Sequence, residues 1–370
     1  VADQVEKVEL LIGYKQFGGW DDLEIKLCVD KFDTVSFVAP FDPSNKDFRD
    51  LFRPFSFQRI DLLLNDTRLF TGTMVGVDPT RTAETGRVSI SAYAEPAVLC
   101  DCTAPSGFGR KGRRSGTGPI PLEFTKKSLL AIAKQLCEPF GFAIEFRGDP
   151  GAPFEKVAIK IDQKIHSFLV ELAKQRGFVI TNTGDGTLLF WKSITQGAPV
   201  VKFEEGVAPF PGITSTFSPQ EYYSEITGYA PAKHKKPGTH WTVLNPWLGT
   251  DVDDPNSQIN MHRPMSCKFD DTERADAPDA TKAKMGRMFA NMASFSIDDL
   301  ITWRDPQGKL WEPNTSLSVL APGSMIYSET ELLIREVTLR QSANKLSANL
   351  GLVLPGAFSG LIPTSLPWQG

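Results

Sequence analysis

Leu23-Glu24-Ile25-Lys26-Leu27-Cys28-Val29-Asp30 alternates apolar with mostly polar side chains at every step. In an extended chain successive side chains point to opposite faces. This period of two therefore puts Leu23, Ile25, Leu27 and Val29 on one buried face and predicts a strand. Downstream, Val35 and Phe37 repeat the pattern until Pro40 ends it, and Pro43 and Pro54 punctuate a loop. Ile60, Leu62 and Leu64 predict another strand, Asn65-Asp66 a turn, and 69–77 the strand that follows. A polar loop holding Pro79 and Gly86 is expected next, then a strand through Val88, Ile90 and Ala92. Short strands joined by turns predict a barrel or a sandwich for the first hundred residues.

The period changes after Cys102. Residues 106–121 are rich in Gly, Ser, Arg and Lys without apolar periodicity, which predicts a mobile loop. Leu129, Ile132, Ala133 and Leu136 then fall on one helical face, with Thr125 as the expected N-cap and Pro139 and Gly141 as the stop. A strand through Val157, Ile159 and Ile161 precedes a second helix carrying Ile165, Phe168, Leu169 and Leu172, closed by Gly177. Residues 178–191 read as a hairpin around Gly184-Asp185-Gly186. This middle block predicts a small α+β unit.

Residues 199–219 are punctuated by proline and read as a return connection, 222–229 as a strand, and 230–262 as an extended, turn-rich excursion. Asp276 and Pro278 open a third helix with Met285, Met288, Phe289 and Met292 on one face. Core packing is the expected use of that face, with a soft binding surface as the alternative. The remainder is β again: 297–303, a turn at 305–308, then 317–320, 332–339 and 346–354. A weak internal repeat follows from this order. Residues 60–92 and 317–354 share one plan: a strand, a second strand entering a long hairpin, and an alternating return strand.

Bulk composition narrows the function classes. The chain has 370 residues, enough for two or three domains, and its net charge of −4 gives no electrostatic reason to bind nucleic acid tightly. The five cysteines, Cys28, Cys100, Cys102, Cys137 and Cys267, are odd in number and lack the spacing of a zinc site or disulfide framework. Free thiols and assembly in a reducing cytoplasm are expected. No signal-like N-terminal run and no apolar stretch of membrane-spanning length occurs.

Catalytic patterns are sparse. His166 lies on the second helix, while His234, His240 and His262 lie in the polar excursion and read as solvated loop residues rather than metal ligands. There is no Gly-x-Ser-x-Gly elbow and no His-Glu-x-x-His pattern. Arg110, Lys111, Arg113 and Arg114, in the loop at 106–118, could touch a phosphate backbone or an acidic partner; a solvated flexible loop is the plainer reading. No catalytic residue, metal site or cofactor is expected.

Four stretches in order resemble the baseplate hub of Mu-like contractile phage tails. They are Gly18-Gly19-Trp20 leading into 23–37; Phe70-Thr71-Gly72 through Val88-Ser89-Ile90 to Leu99-Cys100-Asp101-Cys102; Pro139-Phe140-Gly141-Phe142 with Gly177-Phe178 and Gly186-Thr187-Leu188; and Gly308-Lys309-Leu310-Trp311 through Leu332-Leu333-Ile334 to Pro355-Gly356-Ala357-Phe358. The resemblance implies a mainly β chain with an α+β insertion: two related tube-like β-barrels and a small inserted domain. On this plan 1–104 is the first barrel and 105–198 the insertion. Residues 199–229 are return strands completing the first barrel, and 230–370 is the second barrel with a helix and a loop excursion. It further implies a non-enzymatic homotrimer in the virion, assembled in the host bacterial cytoplasm. Two barrels in each of three chains make a pseudo-sixfold ring. Its expected partners are the tail tube protein, a trimeric spike and baseplate wedge proteins, with DNA passing through a central channel without specific binding. The competing readings are a tail-associated peptidoglycan hydrolase and a spike-like component of a bacterial injection system. A spike expects a β-helical needle, and the sequence after Phe358, with Pro363 and Pro367, shows no such repeat.

Overall fold

In a computed structural model that describes residues 6–104, 122–193, 197–230, 238–248, 261–269, 277–342 and 345–369, the period-two stretches become strands of one continuous sheet. The N-terminal unit contains β1 (Val8–Ile12), β2 (Lys15–Phe17), β3 (Asp22–Cys28), β4 (Thr34–Pro40), a one-turn α1 (Lys46–Leu51), β5 (Arg59–Leu64), β6 (Thr67–Arg81) and β7 (Gly86–Ala94). Their order across the sheet is β2-β1-β5-β6-β7-β4-β3. Leu23, Ile25 and Leu27 of β3 are buried as their alternation requires. Asn65 and Asp66 both take positive φ, the backbone of a tight turn whose twist suits a hairpin, and they join β5 to β6. Phe52, just past α1, packs edge-on against Phe17 with centroids 5.5 Å apart and closes one end of the core. The loop expected at Pro79 is displaced. Pairing continues through Pro79 opposite Val88 to Arg81 opposite Gly86, so both strands outlast the proline.

The middle block comprises β8 (Glu123–Lys127), α2 (Leu129–Cys137), β9 (Ile144–Arg147), β10 (Phe154–Ala158), α3 (Ile165–Lys174), β11 (Val179–Asn182) and β12 (Leu188–Trp191). Its helices bury the residues that the spacing selected, and Gly177 adopts φ +68° just past α3. Two local readings are corrected. Thr125 does not cap α2, because it pairs with Lys156 inside the β8–β10 ladder and is held extended. Ser128 is the cap, its hydroxyl accepting from the Ala131 N–H at 3.2 Å. Ile161 lies beyond β10 and is exposed.

The C-terminal unit contains β13 (Lys202–Glu204), β14 (Thr214–Phe217), β15 (Glu225–Ala230), β16 (Thr239–Leu244), β17 (Pro264–Lys268), α4 (Ala277–Met292), β18 (Ala293–Leu300), β19 (Ser316–Ala321), β20 (Ile326–Ser342) and β21 (Lys345–Val353). Here the expected return strands find other partners. β13 pairs in parallel with β19 and β14 antiparallel with β18, both in the C-terminal unit and not in the N-terminal one. The outer edge of β3 is occupied instead by β20. The expected excursion at 230–262 supplies β16, which flanks β15 opposite β17 in a separate three-stranded sheet. α4 lies on that sheet; Gly228 allows the approach, since a Cβ there would meet the Thr281 hydroxyl at 2.2 Å. The fold is mainly β with a few small helices, and the sheet path runs from β14 at one end to β2 at the other.

The internal repeat extends to the hydrogen-bond register. Met74 faces Ala92, and Ile334 faces Leu352. A bulge follows at Val75 in β6 and at Arg335 in β20, after which Gly76 faces Ser91 and Glu336 faces Gly351. The neighbours agree: Val35 of β4 faces Ala92, and Phe295 of β18 faces Leu352. The Met74 N–H donates to the Gln58 carbonyl, and the Ile334 N–H to the Thr315 carbonyl, each at 2.8 Å. A shared bulge in a shared register is specific, because bulges re-aim a strand at one defined position. The strand sets β5-β6-β7-β4-β3 and β19-β20-β21-β18-β14 are thus two copies of one plan.

Candidate assembly site

The sequence-level chemical candidates do not converge. His166 packs on the Phe32 ring with centroids 5.0 Å apart, and burial together with the nearby Lys174 charge lowers its pKa. His240 sits in β16 beside Tyr229, His262 is exposed before β17, and His234 and the basic loop at 106–118 lie outside the described residues. Among the described residues no group of three His, Cys, Asp or Glu side chains could hold a metal. All five cysteines are free thiols, and burial pushes Cys137 up to about 12, away from reactivity. Met285, Met288 and Met292 are buried, so the methionine face of α4 is core. No helix among the described residues is long and apolar enough to cross a membrane.

What the fold does bring together is a junction between the middle block and the β3–β4 turn. Asp33 and Asn182 are both buried and exchange two hydrogen bonds at 2.8 Å: the Asp33 N–H to Asn182 Oδ1, and Asn182 Nδ2 to Asp33 Oδ2. The other Asp33 oxygen accepts from the Cys28 N–H at 2.9 Å. Burial pushes the Asp33 carboxyl up to about 7, against the lowering effect of the bonds from Cys28 and Asn182. Thr181 donates to the carbonyls of Cys28 and Lys31, and the Trp191 indole to that of Val29 at 3.0 Å. Polar groups this buried are costly unless paired, so they fix the block in one orientation.

A second contact joins the two repeats. β3 pairs antiparallel with the distal half of β20, from Glu336 opposite Cys28 to Ser342 opposite Asp22. Two ion pairs flank the seam, Arg335 with Asp30 at 3.0 Å and Arg340 with Glu24 at 2.8 Å. Val337 and Leu339 are fully buried beneath it. The arrangement holds the two repeats in register.

Residues 96–192 match the sequence profile of a family described as baseplate hub protein gp44-like, second domain. This segment is similar to the second domain of gp44-like baseplate hub proteins, and the name hub domain marks that similarity. The whole chain shares its fold with phage tail proteins. It superimposes on the 43 kDa tail protein of prophage MuSo2 from Shewanella oneidensis with a TM-score of 0.74 and 21% identity, covering 95% of this chain and 99% of that one. The tail protein of Neisseria meningitidis MC58 gives 0.74 at 16% identity, covering 96% and 98%. An Escherichia coli type VI secretion component, itself similar in structure to the T4 tail proteins gp27 and gp5, gives 0.52 at 10%, covering 95% and 77%. No curated protein sequence matches. The resemblance read from the sequence to a hub-type phage tail protein is thus met, by profile in the hub domain and by fold across the chain.

The hub domain's anchoring residues escaped the sequence reading. Their one signal was Thr181 and Asn182 ending a strand that is buried on both faces, where polar side chains need a partner from elsewhere. Gly184, in the hub domain's hairpin, touches the N-terminal unit directly. A Cβ there would meet the carbonyl oxygens of Arg68 and Leu69, each at 2.8 Å. Gly184→Ala is expected to lift this hairpin off β6, raising the rate of limited proteolysis within 96–192. An unchanged cleavage rate would show that the contact is slack.

Proposed function

We propose that the chain is the baseplate hub of a phage tail: a structural homotrimer without catalytic activity or cofactor. Each copy contributes two tube-like β-barrel units, and three copies form a pseudo-sixfold ring around a central channel. The ring joins the sixfold tail tube to a trimeric central spike, with wedge proteins around it, and lets DNA pass on ejection. The reading places the protein in the virion after assembly in the host cytoplasm. The observation that carries it is the repeated register, including the bulge at Val75 and Arg335. Two equivalent units per chain are what a trimer needs to present six equivalent faces to a sixfold tube while keeping threefold symmetry toward a spike. The hub domain and the shared tail-protein fold support the same reading.

The test is the oligomeric state of the purified chain. Light scattering is expected to give a trimer, and a stable dimer would overturn the hub. A peptidoglycan-release assay separates the hub from a wall hydrolase: no turnover is expected. Robust turnover abolished by one carboxylate substitution would sink the non-enzymatic reading.

A further inference from the structure

The two repeats differ at one edge. In the C-terminal unit the distal half of β20 is covered by β3. In the N-terminal unit no strand among the described residues covers the equivalent half of β6, from Gly76 to Arg81, on the side away from β7. Val337 and Leu339 are accordingly buried, whereas Val77 is half-buried and Asp78, Pro79, Thr80 and Arg81 are exposed. At the other end of the sheet β14, the repeat's counterpart of β3, pairs among the described residues with β18 on one side only. Phe217, at its end, is a 39% exposed aromatic.

We infer that the open edge of β6 receives β14 of a second copy of this chain, antiparallel, with Val77 opposite Phe217 and Asp78 opposite Thr216. The register is carried over from the seam inside the chain. Val337 faces Leu27 and Thr338 faces Lys26. Val77 and Asp78 occupy the places of Val337 and Thr338, counted from the shared bulge. Ile25 faces Val35, and Ser215 faces Phe295, its counterpart, so Thr216 and Phe217 stand for Lys26 and Leu27. Backbone polarity agrees. The Val29 N–H donates to the Arg335 carbonyl, which turns the odd residues of β3 toward β20. The Ser218 N–H donates to the Met292 carbonyl, which turns the even residues of β14 toward β18 and the backbone groups of Ser215 and Phe217 outward.

Pro79 fits the same edge. A proline inside a sheet must turn its missing N–H away from any ladder, and here that direction is the open side of β6. It costs the incoming strand one hydrogen bond and guards the edge against unrelated strands. The ion pair of Arg340 with Glu24 has its counterpart in Thr80 and Thr214, which carry no charge. The seam between copies therefore rests on backbone bonds and on apolar contact of Phe217 with Val77. A contact that repeats the relation between units within the chain is head-to-tail, and such contacts make a ring when the rotation closes.

This inference rests on the trimeric reading above, and its test separates the two. Asp78 and Thr216 would form a pair without mutual backbone bonds, with Cα atoms about 4.5 Å apart, within disulfide reach. In the full chain, Asp78→Cys with Thr216→Cys is expected to give covalent trimers on a non-reducing gel after mild oxidation. Each single variant, and Asp78→Cys with Thr214→Cys, should give none. Val77→Pro, which removes an outward N–H and no bond within the chain, should keep the circular dichroism of the parent and lose the trimer in light scattering, its melting falling only by the stability that association supplied. Trimers in light scattering without the cross-link would overturn this edge and leave the hub reading standing. A monomer at every concentration, without the cross-link, would remove both, and cross-linked closed dimers would overturn the ring.

Discussion

Replacing Trp303 by alanine is expected to destabilise the protein by about 3–5 kcal/mol, the range for deleting a large aromatic from a packed core. Trp303 is wholly buried. Its indole N–H points at two carbonyls across the tip of the β20–β21 hairpin, Arg340 at 3.1 Å and Ser347 at 3.0 Å. These two residues face each other in the ladder, so one side chain bridges both strands. Alanine leaves a cavity beside two acceptors that have lost their donor, and the two losses add. Trp303→Phe should cost less, because it fills part of the cavity and removes only the donor. Urea unfolding of the three proteins measures the difference. A loss below about 1 kcal/mol for alanine would mean that the hairpin tip repacks freely. The effect should spread, since this half of β20 carries β3.

Asp33 should make the junction between the hub domain and the N-terminal unit sensitive to pH. Its carboxyl titrates near 3.8 in an ordinary setting and is held up near about 7 by burial. The folded state then binds more protons than the unfolded one between those values, so stability falls as pH rises from about 4 to about 7. The contribution is complete below the lower value, lost through the upper one, and about 2–4 kcal/mol in size. Other groups act elsewhere or oppositely. Glu6 and Asp61 are lowered, and their contributions are lost only as the solution becomes more acidic than their ordinary values of 4.5 and 3.8. His166, also lowered, gives stability that rises with pH through its ordinary value of 6.5. The decisive quantity is therefore the difference between the parent chain and Asp33→Asn, in which His166 cancels. That difference should slope between pH 4 and 7 and flatten above; two parallel profiles would show that Asp33 stays charged throughout.

Much of this molecule could be read from near neighbours in the chain. Leu23 to Val29, the helical faces of α2 and α3, the Gly177 stop, the Asn65-Asp66 turn and the plan of the repeat all followed from periods of two or 3.6 and from backbone preferences. Errors arose where a distant partner overrode a local preference. Thr125 is a good cap by chemistry, yet Lys156 holds it in a strand. Pro79 signals a turn, yet one side of its strand is open and tolerates it. The strands after residue 199 were expected to return to the N-terminal unit, but β20 occupies that edge instead.

The sequence by itself determined many of the strands and helices, the apolar face of each of these, and the outline of a plan that occurs twice. The tertiary structure decided the partners: β20 on β3, Asn182 on Asp33, and which copy of the repeated edge is covered. The physical reason is that side-chain alternation is set by adjacent peptide units. A β-ladder instead satisfies N–H and C=O groups that look alike at every residue, so geometry across the whole chain, and not local chemistry, chooses which strand an edge receives.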